Sequence, residues 1–124
     1  MENQLDKFGK FVMENLRDRA IEKFENLAEG VYKAKAHRNL QNALSSLSPD
    51  QIDIVRRCIV ESIDSGIHDF LFAIQENLDF ENDIQIKVEG TNIAELSDGL
   101  HGELFTEDGW QAKYSKFGEA PDES

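Results

Sequence analysis

The chain is poor in residues that cross-link, anchor or break a fold. It has one cysteine, Cys58, so no intrachain disulfide is possible, and a cytoplasmic protein is the simplest expectation. Cys58 lies one turn from Val55 and Ile59 on an expected helix, where a small buried hydrophobe is the usual role. A reactive thiol wants a cationic neighbour, and Arg56 and Arg57 do not share its helix face. No apolar run approaches the ~20 residues that span a bilayer. The first turns carry charge throughout, unlike a secretory signal or a transit peptide. Zinc, EF-hand, P-loop, dinucleotide and nucleophile-elbow patterns do not occur. Nothing repeats at a fixed period, which excludes a solenoid.

Positive charge is also scarce. Lys and Arg number 13 against 25 Asp and Glu, a formal net charge of −12. The imbalance is local. Residues 1–75 hold 12 acids and 10 Lys/Arg, whereas residues 76–124 hold 13 acids and 3 lysines. Nucleic-acid backbones and anionic membranes both demand a basic footprint, so neither is an expected partner. A basic protein or a metal cation is the natural kind of partner. Lys33, Lys35, His37 and Arg38 form the one basic cluster, which is expected to face water.

What is present is helical periodicity. Leu5, Phe8, Val12, Leu16, Ala20, Phe24 and Leu27 predict a first helix over 3–29, with Gly30 as its C-terminal cap. Gly9 is an interior cost or a site of close contact. A short helix is expected over 39–47. Ser48-Pro49-Asp50-Gln51 then spells a helix start, with Ser48 and Gln51 as a capping box and Pro49 at the first position. Apolar residues from Ile52 to Leu78 recur every three or four and make one stripe. A straight helix over 50–78 would run about 43 Å. A compact chain of this length is only about 35 Å across. Ser65-Gly66 therefore marks an expected kink.

Beyond Leu78 the period shortens. Ile84, Ile86 and Val88 alternate with polar residues and predict a strand, followed by a turn at Gly90-Thr91-Asn92. Asn92 and Glu95 suit a helical turn through Leu96, with an edge strand as the alternative. Glu107-Asp108-Gly109 predicts a hairpin between Leu104-Phe105 and a last strand carrying Trp110, Ala112 and Tyr114. Together these elements predict an α+β fold: three or four N-terminal helices packed on a small C-terminal antiparallel sheet. Residues 1–117 are expected to form one domain and 118–124 an acidic flexible tail.

Two constellations carry possible chemistry. Glu61, Asp64 and His68 share a face of the central helix, and Asp64 and His68 are four apart. The glycine-containing loop 97–103 brings Asp98, His101 and Glu103. If the loop folds over the helix, Asp64, His68, Asp98 and His101 would form a metal or acid/base site, and the chain would be a small metal-dependent enzyme. The preferred expectation is not an enzyme and needs no cofactor. In size and charge the chain resembles the small acidic immunity proteins that bacteria use against toxin domains, a resemblance that carries over no residue. It implies a module that neutralises a basic partner. Asp98, Glu103, Glu107, Asp108 and Trp110 are the expected contacts, through steering by opposite charge and an aromatic anchor. An adaptor homodimer is the third reading.

Overall fold

The computed structural model describes residues 3–120, and the last four residues of the predicted tail lie outside them. Asn3 opens the first helix by accepting a hydrogen bond from the Asp6 amide at 2.8 Å. Helix α1 (Gln4–Val12) passes through a π-helical turn (Met13–Arg17) into α2 (Asp18–Glu29), and Gly30 closes it in the left-handed region at φ 73°. The buried positions follow the row Leu5, Gly9, Met13, Arg17 and Ile21, then Phe24 and Leu27, with Asp18 buried beside Arg17. Steps of four residues drift around a regular α-helix by about 40° each, and the extra residue of the wide π-turn absorbs that drift. The phase shift corrects the expected stripe. Leu16 stands 50% exposed, while Met13 is fully buried.

Helix α3 (Lys35–Ser45) starts earlier than the short helix expected over 39–47. Gln41 ties it to the preceding loop by bonding both the amide and the carbonyl of Tyr32 at 2.9 Å. Helix α4 (Pro49–Phe80) has the capping box its sequence spells. Ser48 Oγ accepts from the Gln51 amide at 3.2 Å, and Gln51 Oε1 accepts from the Ser48 amide at 2.8 Å. The helix is not broken at Ser65-Gly66, the expected kink position, and runs continuously over 32 residues. Both residues face outward, so their weak helix preference opposes a stripe that is buried on the other side. A Cβ at Gly66 would meet nothing. Gly66→Ala is therefore expected to stabilise the protein by about 0.5–1 kcal/mol. A urea melt reads this directly, and a loss of stability would show that the glycine has a packing role.

The C-terminal third is tighter and less extended than its alternation predicts. Strands β1 (Lys87–Val88) and β2 (Thr91–Asn92) pair antiparallel, Lys87 opposite Asn92 and Val88 opposite Thr91. The turn between them is Glu89-Gly90, at φ 52° and 84°, the two-residue geometry whose twist suits a hairpin. Asn92 then caps a 3₁₀ turn (Ile93–Leu96), as its spacing to Glu95 predicts. The segment expected as a strand at Leu104-Phe105 is instead the end of a second 3₁₀ turn (Leu100–Leu104). The hairpin expected at Glu107-Asp108-Gly109 is absent, and the expected last strand is the short helix α5 (Trp110–Tyr114). A Cβ on Gly109 would overlap the Phe105 carbonyl, so the chain doubles back there too closely for a strand pair. Trp110 and Tyr114 are four apart, a spacing that suits one helical turn as well as alternation.

The chain is thus α+β: a helical body with a two-stranded antiparallel sheet on its C-terminal side. Two apolar clusters lie along α4, which reconciles its length with a small fold. One joins α1, the C-terminal half of α4 and residues 93–110, and holds Met13, Leu71, Ile93, Leu100, Leu104 and Trp110. The other joins α2, α3 and the start of α4 around Phe24, Leu27 and Leu44. Cys58 belongs to neither; it is exposed, against the expectation of a buried hydrophobe. Among the described residues no helix is long and apolar enough to cross a membrane.

Candidate functional site

Between the two clusters the core is polar. The π-turn directs two consecutive charged residues, Arg17 and Asp18, into the interior. Arg17 meets Asp64 of α4 in a two-pronged pair, Nε to Oδ1 at 2.7 Å and Nη2 to Oδ2 at 3.2 Å. Its Nη1 donates to Ser115 Oγ at 2.8 Å and to the Gly118 carbonyl at 2.6 Å. Ser115 Oγ donates on to Asp18 Oδ1 at 2.6 Å, and Asp18 Oδ2 accepts from the Lys116 amide at 2.9 Å. Such saturation is what a buried charge requires, since an unpaired one costs several kcal/mol, of order 3–5. The network pins residues 115–118 across the helices, and Gly118 opens the segment expected as a tail. Lys116 adds an exposed bond to Glu22 at 2.7 Å. That bond and the charge of Glu22 raise the Lys116 pKa above the usual lysine value.

Above this polar floor lies an open groove of about 820 Å³. Its α4 wall runs from Asp53 to Asp69, about 24 Å of helix. At one end Arg56 donates to Glu25 of α2 at 2.9 Å and reaches Asp53 at 3.3 Å. Arg17 and Asp64 lie midway. At the other end are His68, Asp69 and Phe105; Phe117 and Glu119, on either side of the Gly118 that Arg17 holds, also line the groove. The lining holds six carboxylates and three arginines. Arg17 pairs with Asp64, Arg56 with Glu25, and Arg57 with Asp53 at 3.5 Å. The surplus of negative charge falls to Glu61, Asp69 and Glu119.

The His68 end is an interleaved set of rings. His68 and Phe72 are four apart on α4; His101 and Phe105 are four apart on the segment packed against it. His101 lies 5.2 Å from His68 and 5.0 Å from Phe72 between ring centroids, and His68 lies 6.0 Å from Phe105. The loop therefore folds over the helix, the condition set for a metal site, and brings the two histidine rings together. The metal arrangement does not follow. Asp64 is turned away to Arg17, and His68 Nδ1 faces Asp69 at 3.1 Å rather than Asp64. Among the described residues no three His, Cys, Asp or Glu side chains gather as a metal-ligand set, so Asp64, His68, Asp98 and His101 do not form one.

The expected partner contacts divide. Asp98, Glu107 and Asp108 are exposed, and Glu103 is half-buried with Ser97 Oγ donating to it at 2.9 Å. Trp110 is corrected outright: it is 1% exposed, with Phe8 edge-on at 5.9 Å and no room between its ring and Gly9. An indole this deep contacts no partner. The exposed aromatics beside the acids are Phe105, at 40%, and Phe117, at 38%, both lining the groove. Arg17, Glu25 and Arg56 were not singled out in the sequence. The one hint at Arg17 is the row Gly9, Met13, Arg17, Ile21 at uniform steps of four.

Fold and groove define a small α+β protein whose helices enclose an acid-rich open groove. The chain belongs to a family of unknown function (DUF6547), whose model matches residues 1–113. Ser115 and the segment it pins lie beyond the matched residues. No curated protein and no solved structure matches the chain.

Proposed function

We propose that the chain is a binding module for a basic protein partner, of the immunity or inhibitor type, and that the groove seats a cationic segment of that partner. The carrying observation is the groove's surplus of carboxylates over arginines that already have carboxylate partners. Asp98, Glu107 and Asp108 extend the same sign of charge onto the exposed surface of the C-terminal segment. Opposite charge speeds encounter, and half-exposed rings such as Phe105 and Phe117 slow release. The anchor role assigned to Trp110 passes to these two.

The test begins with capture of the partner from the native source, followed by stopped-flow association at rising salt. The on-rate is expected to fall about tenfold or more between low and physiological ionic strength. Joint reversal of Glu61 and Asp69 to lysine is expected to slow association further, while Asp79→Lys, beyond the groove, changes it little. An on-rate indifferent to salt and to the reversed pair would refute the reading.

A further inference from the structure

We propose that the His68–Phe105 end of the groove is a pocket for an arginine side chain of the partner. The inference rests on the binding role proposed above and names the residue type that is read. The protein's own Arg56 shows how this groove holds a guanidinium. Its Cζ lies 5.8 Å from the Phe24 ring centroid while its Nε bonds the Glu25 carboxylate at 2.9 Å. A ring below and a carboxylate beside the cation are the two elements of that seat. The opposite end of the groove repeats both. Phe105 and His68 supply rings 6.0 Å apart, and the Asp69 carboxylate stands 3.1 Å from His68 Nδ1 with its side chain 82% exposed. Here the guanidinium would come from the partner.

Arginine fits this seat better than lysine on physical grounds. A guanidinium is planar and weakly hydrated, so it stacks on a ring with little loss of solvation, and its fork meets a carboxylate with two donors. A lysine ammonium keeps its water more tightly and offers no plane. His101, wedged between His68 and Phe72 at 5.2 and 5.0 Å, fixes the orientation of the ring set. The pocket is therefore built before the partner arrives.

The test uses two acetylated nonapeptides that differ only in carrying three arginines or three lysines among glycines, titrated into the whole chain by calorimetry and NMR at low salt. The arginine peptide is expected to bind about fivefold tighter or more and to move the ring signals of His68 and His101. Phe105→Leu and Asp69→Asn are each expected to bring the two peptides within about twofold of one another. Both positions are exposed, and an unchanged melting temperature confirms that each variant folds. Equal binding of both peptides overturns the arginine pocket and leaves the binding groove standing. An arginine preference that survives both substitutions places the pocket elsewhere and also overturns it. If neither peptide binds, the groove's proposed role falls and the pocket with it.

Discussion

Asp64→Ala is expected to cost about 3–5 kcal/mol of stability and to lower the melting temperature by roughly 10–20 °C. The carboxylate sits 10% exposed against an arginine that is 1% exposed. Removing it leaves Arg17 with a desolvated charge and two N–H groups unpaired. The neutral remainder of the network cannot compensate, because Ser115 and the Gly118 carbonyl are already used by Nη1. The damage is expected to reverse in large part when both charges are removed together, as in Arg17→Met with Asp64→Leu, since a buried pair and a matched apolar pair are often close in energy. Urea melts of the single and double variants separate the cases. A loss under about 1 kcal/mol for Asp64→Ala would show that the pair is solvated and stabilises little. The single variant also bears on function. It places an uncompensated positive charge at the groove floor, where it would repel a basic partner of the kind proposed above.

The features legible in the sequence are those fixed within a few residues. The Ser48–Gln51 capping box, Gly30 at its left-handed cap and the stripe of α4 depend on local spacing alone, and each lies where the sequence places it apart from Phe70, which the stripe includes and the structure leaves 55% exposed. The 3₁₀ turn after Asn92 was legible for the same reason; the folding of the 97–103 loop over α4 was not, because it joins distant parts of the chain. The groove was not, because its parts are brought together from far apart: Arg17 and Asp64 are 47 residues apart, and Arg17 and Ser115 are 98 apart. The π-turn adds a second obstacle. It shifts the helical phase by a residue, so Arg17 and Asp18 fall on the polar side of a regular wheel and on the buried side of the actual helix. The strand expected at 110–114 fails for a different reason. Over five residues, alternation and one helical turn place Trp110 and Tyr114 on the same side, and only packing against α1 decides between them.

That packing makes the second large prediction, a substitution whose sign depends on its neighbour. Gly9 is buried in α1 with the Trp110 ring where a Cβ would stand. Gly9→Ala is expected to destabilise the protein by about 1–3 kcal/mol or more, since the indole has no space to retreat. Trp110→Ala is expected to cost about 3–5 kcal/mol, because the ring fills the cluster that joins α1 to residues 93–104. Placed on the Trp110→Ala background, Gly9→Ala is expected to change sign and stabilise by about 0.5–1 kcal/mol, as alanine does in an unobstructed helix. The coupling between the two positions is then about 1.5–4 kcal/mol, at the high end for residues in contact. Equal costs for Gly9→Ala with and without the indole would show that something other than this contact selects glycine. The pair matters to the groove because Leu100 and Leu104, which share the cluster with Trp110, hold the segment that carries His101 and Phe105. If the proposed binding role holds, loss of the indole is therefore expected to weaken binding as well as the fold, although Trp110 is too deep to touch a partner.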